Sequence, residues 1–152
     1  MREHDYLVRK ASLDDIASLS DLFLEFIGRP SNADSLKKRI EIISNNPLYF
    51  VAVACDSHKV IGTAMGIVCH DLVGNCDPFL LIENVVVLPS HRGKNAGKLL
   101  VNSLEEFGRL NNCNYAVLVS DEKRTRAHGF YQSLGYAGHA GFKKRLKSQT
   151  EG

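Results

Sequence analysis

No stretch of this 152-residue chain supplies the apolar run of roughly 20 residues that crosses a bilayer. Glu83 interrupts the longest candidate, "FLLIENVVVLP". The opening residues, "MREHDYLVRKA", lack the apolar centre of a secretory signal. Both absences point to a cytoplasmic chain with no membrane partner. Cysteines at metal spacing are missing as well. Cys55, Cys69, Cys76 and Cys113 form no CxxC pair and have no histidine at a zinc-like separation. Cys55 and Cys69 fall in apolar, strand-like runs, so all four are expected as reduced thiols, and no metal is expected. An excess of one charge is also lacking: 19 Lys and Arg stand against 17 Asp and Glu. A net charge of +2 is too small for a general binder of nucleic acid or of membrane surfaces. Repeats, linkers and low-complexity segments are absent. What remains, 44% hydrophobic and 24% charged, is an ordinary globular composition and about one domain's worth of core. Residues 1–147 are expected to form that single domain, with 148–152 as a frayed tail.

The apolar periodicities order the chain. "DYLVRKA" reads as a short strand. "SLDDIASLSDLFLEFIG" places Ile16, Leu19, Leu22, Phe23, Phe26 and Ile27 at helical spacing, opened by a capping pair at Ser12 and Asp15 and closed by Gly28 and Pro30. A more charged helix follows in "NADSLKKRIEIISNN", with Leu36, Ile40 and Ile43 inward. "LYFVAVACD" and "KVIGTAMGIVCH" form a hairpin over Asp56, Ser57 and His58. The loop "DLVGNCDP" leads to the buried run "FLLIENVVVLP". Leu99, Leu100, Leu104, Phe107 and Leu110 then repeat as a helix, before a strand in "NYAVLVS". "RTRAHGFYQSLG" reads as a short helix and "GFKKRLK" as a closing strand with a solvated basic face. The order β-α-α-β-β-β-α-β-α-β predicts an α/β fold: a mixed, mostly antiparallel sheet with helices on both faces, including one βαβ unit.

Inside that unit lies "HRGKNAGKLL", residues 91–100, a turn from strand to helix with two glycines and several basic side chains. Such a turn offers unpaired backbone N–H groups at the positive end of a helix dipole, a favourable place for phosphate. Spacing rejects two familiar phosphate loops. Gly93 to Gly97 is one residue short of a P-loop, and Lys98 is followed by Leu99 rather than Ser or Thr. No G-x-G-x-x-G occurs for a dinucleotide fold. The stretch "RGKNAGK" after "VVVLP" instead resembles the acyl-CoA pyrophosphate loop of the GNAT-type N-acetyltransferases, written Q/R-x-x-G-x-G/A. Arg92 matches the first position and Gly97 the last. Asn95 replaces the middle glycine, and asparagine is a residue that tolerates the left-handed backbone region. "AHGFYQSLGY", residues 127–136, resembles the same family's A-x-x-F-Y-x-x-x-G-F/Y segment. The element order agrees over nearly the whole chain. More closely, the chain looks like both the aminoalkylphosphonate and the glucosamine-6-phosphate N-acetyltransferases.

The resemblance implies a splayed GNAT sheet and an acetyl-CoA-dependent N-acetyltransferase. An amine would attack the thioester directly in a ternary complex. Arg92, Gly93, Lys94, Asn95, Ala96, Gly97 and Lys98 would hold the pyrophosphate. Val85, Val86 and Val87 would hold the pantetheine arm along a strand opened at a bulge. Tyr131 would assist the departing thiolate as an acid, against the alternative of simple aromatic packing. Glu83, which strand alternation places on one face with Leu81, Val85 and Val87, would be the base. Its alternative is a partner for a buried arginine or backbone amide. His128, one helical turn before Tyr131, would be a proton relay, a cofactor contact or a solvated helix residue. Arg124 stands where many relatives have a cofactor-binding asparagine, and Ser120 is the substitute candidate. Lys143, Lys144, Arg145 and Lys147 are a solvated face or an anion contact. The partners implied are a small-molecule amine and, as in many relatives, a second copy in a homodimer, with no nucleic acid. A non-catalytic acyl-CoA-binding module is the rival class.

Overall fold

Arg9 ties the first strand to the first helix. In the computed structural model, which describes residues 5–121, 124–138 and 141–148, strand β1 is Tyr6–Lys10. The Arg9 guanidinium donates to both oxygens of the buried Asp15 carboxylate, at 2.7 and 2.8 Å. The same carboxylate accepts from the Ser12 backbone N at 2.8 Å, the contact expected of a capping pair. Arg9 and these hydrogen bonds hold the Asp15 carboxyl below the usual carboxylate range, although burial opposes them. A 3-10 turn over Leu13–Asp15 leads into helix α1, Ile16–Ile27, which ends at Gly28 with φ 76°. Asn32 caps helix α2, Ala33–Ser44, by accepting from Ser35 N at 3.0 Å.

The chain falls into two units, Met1–Leu118 and Val119–Gly152. The first carries a five-stranded sheet in the order β1-β2-β3-β4-β5, with β2 Tyr49–Asp56, β3 Lys59–Cys69, β4 Phe79–Val87 and β5 Ala116–Leu118. Neighbours are antiparallel from β1 through β4, whereas β4 and β5 are parallel across helix α3, Ala96–Leu110, as the expected βαβ unit requires. Leu19, Leu22 and Ile40 from α1 and α2 pack on one sheet face with Val51, Val53, Cys55, Val60 and Val86. Helix α3 packs on the other. A Cβ on Gly66 would stand 3.2 Å from Leu104 and 3.3 Å from Leu80, so the missing side chain is what lets α3 lie close. All four cysteines are free, Cys55 within the core. Among the described residues, no helix is long and apolar enough to cross a membrane.

In the second unit, helix α4 is Thr125–Ser133. The closing strand expected over "GFKKRLK" is not formed. Residues 141–148 make no ladder, and Phe142 and Leu146 are 98% and 90% exposed. Only two apolar residues, with Lys144 between them on the same strand face, give too little apolar surface to fix a register.

Candidate functional site

Strand β4 does not alternate strictly. Thr63 pairs with Val86, but Met65, two residues on, pairs with Glu83, so β4 carries one extra residue in that span. Asn84 supplies the kink, with φ 57°. Asparagine pays less than most residues for this left-handed conformation, and a bulge re-aims whatever follows it. The consequence corrects the expected face assignment. Glu83, opposite Met65, and Val86, opposite Thr63, share the face covered by α1 and α2. Val87, opposite Gly62, lies on the α3 face, where a Cβ on Gly62 would meet both Val87 and Leu100. Glu83 and Val87 therefore do not share a face. The parallel ladder to β5 ends at Ile82 and Leu118, so from Glu83 onward β4 has, among the described residues of its own unit, no strand on that side. Glu83 is half-buried, and among the described residues it has no hydrogen-bond or ion-pair partner. The alternative role, as partner of a buried arginine or backbone amide, thus finds no such group among those residues.

Beyond Val87 the chain makes a 3-10 turn over Pro89–His91 and enters the loop. Gly93 takes φ 74° and Asn95 φ 71°, both left-handed. Asn95 is the N-cap residue of α3 through its backbone, accepting from Leu99 N at 3.0 Å, while its side chain makes no cap bond. It occupies the position of the family glycine in the conformation a glycine would adopt. Among the described residues, the backbone N–H groups from Gly93 to Lys98 donate to no protein acceptor. These are the orphan donors of a helix start, lying at the positive end of the dipole of the 15-residue α3.

Two of the loop's cations serve the loop's own shape. Arg92 Nε donates to the Val87 carbonyl at 3.0 Å, and its Nη2 lies 3.5 Å from Glu25 of α1. Lys94 Nζ donates to the Ser90 carbonyl at 3.2 Å. Lys98 makes no bond of this kind among the described residues. His91 reaches Asp56 at the hairpin tip, Nε2 to Oδ2 3.0 Å.

The other candidates belong to the second unit. Tyr131 is half-buried in α4, with ring centroids 5.1 Å from Phe130 and 6.0 Å from Tyr136. Burial pushes its phenol up from the usual 10.0, against a smaller opposing effect of Arg124. The hydroxyl therefore keeps its proton throughout the neutral range, as an acid must. His128 Nε2 is 2.8 Å from the Asp121 carbonyl, a bond that ties the start of α4 to the preceding turn. Ser120 Oγ is shielded from solvent and has no hydrogen-bond partner among the described residues. The exposed basic residues of 143–147 stand in the segment without secondary structure.

Sequence reasoning missed Asn84 and the His91–Asp56 contact. A signal for the first was present: an asparagine inside "IENVVVL" is poor strand chemistry and good left-handed chemistry. The second joins residues 35 positions apart and had no local signal.

Comparison with known proteins gives this geometry a lineage. The family model described as "Acetyltransferase (GNAT) family" matches residues 15–136. The aminoglycoside N(6')-acetyltransferase type 1 of Salmonella typhimurium is 26% identical over 111 residues, 72% of this chain and 75% of that one. Two solved structures share the fold. Glucosamine-6-phosphate N-acetyltransferase from Arabidopsis thaliana superposes with a TM-score of 0.83 at 22% identity, covering 94% of this chain and 99% of that one. An aminoglycoside N-acetyltransferase in complex with CoA gives 0.81 at 21%, covering 96% and 98%. With the family match spanning most of its length, this chain belongs to the acetyltransferase (GNAT) family.

Proposed function

We propose that the protein transfers the acetyl group of acetyl-CoA to a primary amine of a small molecule, by direct attack in a ternary complex. The observation that carries this reading is the row of unpaired backbone N–H groups from Gly93 to Lys98 at the start of α3. Donors so arranged suit the pyrophosphate of acetyl-CoA. They stand at the end of a strand that, among the described residues, has no ladder on its β5 side beyond Ile82, and Val85, Val86 and Val87 would bind the pantetheine amides there as an added strand does. The CoA-bound aminoglycoside acetyltransferase that shares the fold supports the same donor.

In this reading Glu83 accepts the proton released as the amine nitrogen bonds to the thioester carbon. The carbon–sulfur bond breaks, and Tyr131 gives its proton to the departing thiolate. Ser120 and His128 are cofactor-side residues. The match over residues 15–136 supports treating 1–147 as one acetyltransferase domain. The relatives act, by name, on aminoglycosides and glucosamine 6-phosphate, so the acceptor belongs among small amines of these kinds. The test is thiol release from acetyl-CoA across aminoglycosides, hexosamine phosphates, aminoalkylphosphonates, polyamines and short peptides, with Tyr131→Phe beside the parent. A turnover that falls at least tenfold in Tyr131→Phe, with acetyl-CoA binding kept, supports the assignment. Acetyl-CoA binding without turnover of any amine would favour a non-catalytic acyl-CoA-binding module.

A further inference from the structure

The loop that carries the free N–H groups needs something to hold its shape before any ligand arrives. Its contacts are unequal. The Lys94 bond to Ser90 is local to the loop, and the Arg92 Nε bond to the Val87 carbonyl joins it only to the end of the strand directly before it. The Arg92–Glu25 pair is long, at 3.5 Å, with both side chains more than 40% exposed, a geometry that contributes little. His91 differs: its side chain is only 15% exposed, and both ring nitrogens are occupied. Nε2 lies 3.0 Å from Asp56 Oδ2, and Nδ1 lies 2.8 Å from Ser90 Oγ. A carboxylate only accepts, so Nε2 carries a proton in this contact, while Nδ1 and the Ser90 hydroxyl share the second hydrogen bond. Edge-on to the ring stands Tyr6, with centroids 6.1 Å apart, and Tyr6 is the ladder partner of Asp56. One imidazole thus joins the beginning of β1, the end of β2 and the turn two residues before Gly93.

We propose that His91 is a positioning residue for cofactor binding. Through Asp56 it fixes the entry to the 92–98 loop, so that the N–H groups are aimed before the pyrophosphate arrives. This rests on the reading of that loop as the pyrophosphate site. The physical reason is preorganisation: a loop already held in its binding shape loses less freedom on binding. It follows that the tip of the β2–β3 hairpin, at the far end of β2 from the α2 connection, tunes affinity for acetyl-CoA without touching it.

The experiment is calorimetric titration of acetyl-CoA into the full chain, for the parent, His91→Ala, His91→Gln and Asp56→Ala. S-acetylpantetheine, which has the arm but no pyrophosphate, serves as the competing control. His91→Ala and Asp56→Ala should each weaken acetyl-CoA by about tenfold, the worth of one partly buried hydrogen bond to a charged group. His91→Gln, whose amide N–H can stand near the place of Nε2–H, should recover most of the loss. Affinity for S-acetylpantetheine should not move. Parent-like acetyl-CoA affinity in His91→Ala, or in Asp56→Ala should the first variant not fold, overturns the inference. So does an equal loss for both ligands, which would mark general damage to the fold. A parent chain that binds S-acetylpantetheine no more weakly than acetyl-CoA overturns the loop reading itself, and this inference with it.

Discussion

Replacing Asn95 by alanine should isolate the energetics of the loop backbone. The Asn95 side chain makes no cap bond, so alanine deletes no hydrogen bond, and the residue is not part of the apolar core. What changes is tolerance of φ 71°, ψ −1°. A residue with an ordinary Cβ pays about 1–2 kcal/mol for this region, and asparagine less. The difference for Asn95→Ala is therefore about 1 kcal/mol, a factor of about five in an equilibrium constant. Where that appears depends on the free loop. If its contacts hold the left-handed turn without ligand, the change lowers the urea midpoint and leaves acetyl-CoA affinity alone. If the free loop relaxes, stability is preserved and acetyl-CoA binds about fivefold more weakly. Denaturation and titration on the same variant should together recover about 1 kcal/mol. Asn95→Gly, which adopts this conformation readily, should stay within about 0.5 kcal/mol of the parent in the same sum. Asn95→Ala with both quantities unchanged would refute the reasoning, because asparagine would then not be there for its backbone.

Glu83→Gln should lower kcat/KM at least tenfold while acetyl-CoA affinity, read by calorimetry, stays near the parent value; a parent-like kcat/KM would return Glu83 to a structural role. Asp15→Asn should destabilise the chain by about 1–3 kcal/mol at pH 7, the lower part applying because Arg9 is partly exposed. Since the folded carboxyl lies below its ordinary value of 3.8, that stability is present above about pH 4 and lost as pH falls through the folded value. Urea midpoints of parent and variant should converge on acidification, and parallel curves would discount the ion pair. Gly62→Ala places a Cβ 3.1 Å from Leu100, 3.2 Å from the Val86 carbonyl and 3.2 Å from Val87. Part of that contact is backbone, which gives little, so a loss of about 1–3 kcal/mol is expected by thermal unfolding.

Much of the architecture was legible because periodicity and burial agree along it. Helix α3 buries Leu100 and Leu104 of the stripe read from the sequence, while Leu99 and Leu110 of that stripe are exposed and Val101, outside it, is buried. The Ser12–Asp15 pair, Gly28 and Asn32 stand at helix ends as their chemistry suggests. The terminal segment misled for the opposite reason. "GFKKRLK" has strand-like spacing, but spacing alone does not form a ladder without a partner and an apolar face. The glycines and the following helix suggest a phosphate loop, and the left-handed turn at Gly93 and Asn95 is what the structure adds to that expectation. The loop's basic side chains invited a simpler picture of positive charge facing a ligand. In the structure Arg92 and Lys94 spend their donors on the carbonyls of Val87 and Ser90. In the proposed reading an anion there would meet first the backbone N–H groups that have no acceptor among the described residues.

The bulge in β4 is where strict reading of a two-residue period fails, and the failure is informative. Without the extra residue at Asn84, Glu83 and Val86 would project to opposite faces. The α1–α2 core would lose Val86, and Val87 would leave the α3 face. One left-handed asparagine lets the strand keep apolar contact on both sides while it turns its backbone between Glu83 and Val86. The bulge falls directly after the last β4–β5 pair, Ile82 with Leu118. The bulge therefore lets Glu83 and Val86 share the face covered by α1 and α2, while Val87 keeps the α3 face. Asn84, more than the three valines after it, is the residue on which the geometry of this strand depends.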